Sequence, residues 1–203
     1  MEKFFDKLSE YEIWNNFFPG IVFCYLLKRF TPFTFSSGNE FVNLFVYYFV
    51  GMILGRIGSI LLEPILCREI KKEDFENMVA GQEIANKKFN PFILKAPGNY
   101  YYEAEHFDKS ITTLSSKANI YRSLAALFMC FIGLKIYSIV CFEGFRGSNQ
   151  ILLMVGSFVL AVLFLFAFRK QTGYIVKRCI TAIQRQRKEL GKATSGIDLR
   201  GRL

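Results

Sequence analysis

The chain has 203 residues, 52% of them hydrophobic, with 23 Phe, 10 Tyr and a formal net charge of +9. That aromatic content fits a membrane protein, where Tyr and Trp favour the headgroup level and Phe the acyl region. The five cysteines, Cys24, Cys67, Cys130, Cys141 and Cys179, lack CxxC or any other ligand spacing, which argues against a zinc site and a disulfide framework.

The first twelve residues, MEKFFDKLSEYE, carry four acids and two lysines. This is not a cleavable-signal pattern, so the first hydrophobic segment is expected to stay in the mature protein. Phe4, Phe5, Leu8 and Tyr11 at helical spacing predict a short amphipathic helix on the membrane surface. The first hydrophobic segment, residues 13–30, begins at polar Asn15-Asn16, contains Pro19-Gly20 and ends at Lys28-Arg29. Its uncharged part is only 15 residues. A full crossing and a re-entrant or interfacial helix both fit.

A Pro-, Ser- and Gly-containing loop without Lys or Arg, TPFTFSSGNE, leads into residues 41–66. As a helix those 26 residues reach ~39 Å against a hydrocarbon core of ~30 Å. Gly51, Gly55, Gly58 and Ser59 form a ladder of small residues that includes a GxxxG pair, and they are the predicted oligomer interface. Arg56 and Glu63, seven residues apart, are expected on nearly one face. They are candidates for an intramembrane polar site. The alternative is a packing pair, with Arg56 snorkelling.

Residues 67–120 form a polar insert. Helix formers with alternating charge predict a solvated helix over its first part. FNPFILKAPGNYYYEAE then predicts a loop or short extended stretch, followed by a helix from about His106 into the next crossing. The insert is too small for a core of its own, so it must pack on a second copy, a partner or the C-terminal tail. Crossings follow at residues 122–142 and 151–168, joined by a short turn that makes them an antiparallel hairpin. Lys135 is the charge inside the first of these, either lining an aqueous path or snorkelling. Residues 169–203 hold ten Lys/Arg and two acids. They read as a basic helix followed by about a dozen disordered residues. With the insert nearly neutral and the short loops poor in Lys/Arg, the positive-inside rule puts the N-terminus, insert and tail in the cytoplasm.

Glu103, Glu105, His106 and Asp108 resemble a metal cluster at first sight, but no second His or Cys group has matching spacing. Tyr100, Tyr101 and Tyr102 are partner-contact candidates, with headgroup contact as the alternative. Lys177, Arg178, Arg185, Arg187 and Lys188 are candidates for contact with anionic lipid or a partner. Direct nucleic-acid binding is not expected, because no base-reading motif accompanies the charge. There is no phosphate loop, nucleophile elbow, HExxH or paired catalytic carboxylate, so neither enzyme activity nor a cofactor is expected.

Two stretches, YEIWNNFFPGIVF at residues 11–23 and GRIGSILLEP at residues 55–64, together with the size and layout, resemble small multi-spanning proteins of bacterial defence islands. The membrane subunit of the Kiwa anti-phage system is similar in architecture. The resemblance implies an inner-membrane sensor or scaffold that oligomerises and engages a cytoplasmic, nucleic-acid-binding effector on phage attack. The predicted fold is all-α: residues 1–66 with crossings 13–30 and 41–66, the insert 67–120, a second hairpin 121–168, and the basic tail 169–203. A pore-forming effector, with Arg56, Glu63 and Lys135 lining the conduit, is the alternative function.

Overall fold

The computed structural model describes residues 12–35, 38–81, 93–143 and 148–200. The surface helix predicted ahead of Glu12 and the later part of the insert's first helix lie outside the described residues. The chain divides into two compact units: Met1–Ile65 with Ser116–Arg169, and Leu66–Ser115 with Lys170–Leu203.

In the first unit a π-helical turn, Ile13–Phe17, runs into α1 (Phe18–Phe30). Pro19 sits in the first turn of α1, where its missing N–H costs no helical bond. Thr31 ends the helix, its backbone N–H and its hydroxyl both donating to the carbonyl of Leu27 at 2.9 and 2.7 Å. α2 (Glu40–Ile57) starts with Asn39, whose side chain accepts from Phe41 N at 2.9 Å, and Glu40 complements the positive end of the helix dipole. A second π turn, Gly58–Leu62, carries α2 into the short α3 (Glu63–Leu66).

Two longer helices, α6 (Ser110–Ser138) and α7 (Ser148–Arg200), contribute to both units. In the first unit, α1, α2, α6 and α7 enclose a core of Phe23, Leu27, Leu54, Leu124, Leu127, Phe128, Phe131 and Ala161. The Phe128 and Phe164 rings stack across the hairpin of α6 and α7, 5.9 Å apart.

Three helical stretches among the described residues are long and apolar enough to span a membrane: Glu40–Leu66, Ser110–Phe142 and Asn149–Leu190. The first and last bury only 17% of their most apolar window. Phe45, Phe49, Ile53, Leu152, Phe158 and Phe166 all point outward, an apolar surface far larger than a water-soluble monomer carries.

The second unit departs from the all-α expectation. β1 (Cys67–Glu69) pairs in parallel with β2 (Ile93–Lys95), in the register Cys67↔Ile93, Arg68↔Leu94 and Glu69↔Lys95. Between them lies α4 (Lys72–Val79), and after them α5 (Gly98–Phe107). α4 shows Phe75 and Val79 to the core, four residues apart. Ile70, Phe75, Val79, Ile93, Ala104 and Ile111 from the insert are buried, as are Ile175, Val176, Cys179, Ala182 and Ile183 of α7. The insert thus packs on the C-terminal tail, one of the three supports open to it. α7 continues as helix to Arg200, where sequence composition predicts disorder.

Candidate functional site

The first candidate is a line of polar groups inside the apolar unit. α1 and α2 approach backbone to backbone at two glycines. A Cβ on Gly20 would fall 1.7 Å from the Tyr47 carbonyl oxygen, and one on Gly51 1.5 Å from that of Asn16. No residue with a side chain fits at either position. Gly55 faces Ser123 Oγ, and Gly58 faces the Arg122 backbone and Ala126. Gly51, Gly55 and Gly58, expected to pack between subunits, are therefore covered by the chain's own helices. The fourth member of the ladder, Ser59, donates to Glu63 Oε2 at 3.4 Å.

Glu63 pairs with Arg122 of α6 rather than with Arg56. The reason is the π turn between Arg56 and Glu63, in which Glu63 N–H bonds back five residues to Gly58 O. One extra residue in the turn rotates everything beyond it by roughly 100°. Arg56 is left exposed, with no ion pair among the described residues. The Glu63–Arg122 pair is largely enclosed, with side chains 26% and 14% exposed, and Arg122 Nε is buried with no acceptor among the described residues. Beside it Ser123, fully buried, donates to Asn15 Oδ1 at 3.4 Å.

Lys135 does not snorkel. It is 3% exposed, and its Nζ donates to the carbonyl oxygen of Phe30 at 2.6 Å. That carbonyl belongs to the C-terminal turn of α1, where acceptors lack helical partners and the dipole is negative. A cation there contributes up to ~2 kcal/mol when partly buried.

The second candidate lies in the second unit. Arg187 holds Glu76 through both its Nη atoms, each at 2.9 Å, and the Tyr100 hydroxyl donates to the same carboxylate. These hydrogen bonds, Arg187 first, hold the Glu76 carboxyl below its ordinary range, and the bond to Glu76 raises the Tyr100 phenol. Tyr100 also stacks on Phe75 at 4.8 Å, so it is a structural clamp. Tyr101 is half-buried and meets Tyr102 edge-on at 5.9 Å. Tyr102 is 67% exposed. Arg185 and Lys188 are exposed, and Arg178 lies 3.8 Å from Asp108.

Two of the three acids of EAEHFD are engaged locally, and Glu103 is exposed. Glu105 accepts from Thr112 at 2.9 Å, and Asp108 accepts from Ser110 N at 2.9 Å; the Ser110 hydroxyl first, and then its N–H, hold the Asp108 carboxyl below its usual range. His106 is exposed. In the same way Glu69 accepts from Gly98 N at 2.7 Å and caps α5 from β1.

Sequence reading missed Arg122, Asn15, Ser123 and Glu76 as site residues. Arg122 and Asn15 mark the ends of apolar runs and read as boundaries, and only the fold places them opposite Glu63 and Ser123. No family model, curated protein or solved structure matches the chain.

Proposed function

We propose that this chain is a non-enzymatic sensor or scaffold subunit of a bacterial anti-phage defence system. In this reading it crosses the inner membrane four times, keeps both termini in the cytoplasm, self-associates and engages a cytoplasmic effector protein. One observation carries the reading: the insert and the basic tail fold into a unit of their own, distinct from the apolar helical unit. That unit presents Tyr102 and Arg185 outward, residue types enriched at protein-docking surfaces.

The fourth crossing is supported by the polar contacts of the first helix. Residues 12–30 run beside α6, from the Asn15–Ser123 contact to the Phe30–Lys135 contact. As a helix they reach ~28 Å, close to the ~30 Å hydrocarbon core. Self-association uses a face other than the small-residue ladder in this reading, because that ladder is filled within the protomer.

Affinity purification from the native host in mild detergent, before and after phage challenge, tests the proposal. A cytoplasmic protein should co-purify, and Tyr102→Ala with Arg185→Ala should release it. Recovery of the chain alone in both states would sink the reading.

The pore alternative rests on Arg56, exposed on a span-length helix. Lys135 and Glu63 are already engaged within the protomer. Ion flux in liposomes decides it: flux altered by Arg56→Ala supports a pore, and no flux under any trigger removes it.

A further inference from the structure

Besides the polar contacts already described, the second unit contains a groove with a distinct chemistry. It is an open cavity of about 530 Å³ between the N-terminal part of α6 and the middle of α7. Ser110 and Thr113 line one wall; Tyr174, Lys177, Arg178 and Thr181 line the other, at the helical spacing i, i+3, i+4, i+7. The two walls are fixed in antiparallel register by Gln171 Nε2 donating to the Leu114 carbonyl at 3.3 Å, and by the Arg178–Asp108 contact. Behind them Ile111 and Cys179 are fully buried and Ile175 is 8% exposed, so the walls rest on packed core.

We propose that this groove binds a phosphate-bearing anion. Among the described residues its lining offers two cations, a phenol and three aliphatic hydroxyls, and no carboxylate; the Thr181 hydroxyl donates to the Lys177 carbonyl at 3.0 Å and that of Ser110 is bonded to Asp108, which leaves Thr113 as the uncommitted donor. Lys177 makes no ion pair among the described residues. The nearby carboxylate, Asp108, is committed to Ser110 N at 2.9 Å and meets Arg178 only loosely, at 3.8 Å. Lys170, with its Nζ 6.0 Å from the centre of the Tyr174 ring, adds a third cation at the rim. An arginine fork, a lysine and several hydroxyls match a group with three or four acceptor oxygens better than they match a two-oxygen carboxylate. A second groove, beside Lys71 and Lys72, contains Glu69; its carboxylate already occupies Gly98 N, so it lacks this one-signed character.

Two sources supply such an anion: an anionic phospholipid headgroup or a free phosphate ester. Lys177 follows the apolar run of α7 by nine residues, which leaves both within reach. The inference stands on the groove alone and does not depend on a role in defence.

The test uses the full chain in phosphatidylcholine nanodiscs. Native mass spectrometry reads retention of added dioleoyl phosphatidylglycerol, and thermal unfolding reads the effect of inorganic phosphate against chloride at equal ionic strength. Lys177→Gln with Arg178→Gln should weaken binding of the responding probe at least tenfold. Ser110→Ala with Thr181→Ala, which leaves the charge intact, should weaken it about threefold, and Lys72→Gln, in the second groove, should leave it unchanged. Retention of the lipid identifies a headgroup site; a phosphate-specific rise in Tm identifies a free-anion site. If the charge variant fails to fold, the hydroxyl variant decides. Binding of neither probe above its control, or equal weakening by Lys72→Gln, overturns the proposal.

Discussion

Glu63 and Arg122, 59 residues apart in sequence, meet within the apolar unit. Each would be costly alone at that depth, and together each removes most of the other's penalty. Glu63→Gln should therefore lower stability by about 2–3 kcal/mol, because it leaves the Arg122 guanidinium without a counter-charge. The double change Glu63→Leu with Arg122→Leu should come within about 1 kcal/mol of wild type. Unfolding titrations in bicelles distinguish the two, and an equal loss in both variants would show that packing, not charge, is at stake. A pH prediction belongs at the same scale. Glu76 and Asp108 have folded pKa values held below the ordinary carboxylate range, by Arg187 with Tyr100 and by Ser110. Their contribution is complete above the unfolded value near ~4 and is lost as pH falls through the lower folded values. Hydrogen exchange over residues 72–79 should thus be insensitive to these groups from pH 5 to 8 and lose protection in stronger acid, and Glu76→Gln should reduce that acid dependence. At the alkaline end Tyr100, its phenol raised above the ordinary range by the bond to Glu76, loses its donor proton and the stability tied to it as pH climbs through its folded pKa.

Among the elements, the approach of α1 to α2 is the tightest helix contact, set by Gly20 and Gly51 on facing surfaces. Gly51→Ala puts a methyl where the Asn16 carbonyl stands, so the helices must separate; a loss of about 2 kcal/mol or more is expected, as for overpacking against backbone. Gly55→Ala meets only the Ser123 hydroxyl at 3.3 Å, which a small side-chain rotation relieves, and should cost under about 1 kcal/mol. Thermal unfolding of the two variants in one detergent checks the order. The reverse order, with Gly55→Ala instead altering crosslinked oligomers, would return the ladder to a subunit interface. The π turn at Gly58–Leu62 acts at this scale too, because it alone decides that Glu63 turns to Arg122 while Arg56 turns outward.

For the whole molecule the decisive question is topology. On the proposed topology, and with the native cysteines replaced, Gly38→Cys should react with an impermeant maleimide added outside intact spheroplasts, and Lys188→Cys should react only after permeabilisation. Labelling of both from the same side would remove one of the three crossings between them, and labelling of Ser9→Cys from the same side as Gly38→Cys would make residues 13–30 a re-entrant helix. Much of this architecture is legible in the chain itself: the span-length apolar runs, the polar insert and the basic tail follow from composition and periodicity, because burial in lipid or water is decided residue by residue along a helix. Several features are settled only by tertiary structure. Three-residue strands such as β1 and β2 exist only because each finds the other across the insert. The tail is helical to Arg200, and its apolar stripe is buried in the same unit as the insert. Lys135 is buried because the last turn of α1 supplies an acceptor 105 residues away. A glycine ladder read along one helix says that something comes close; which helix does so, here α1 and α6 of the same chain, is a property of the packed fold.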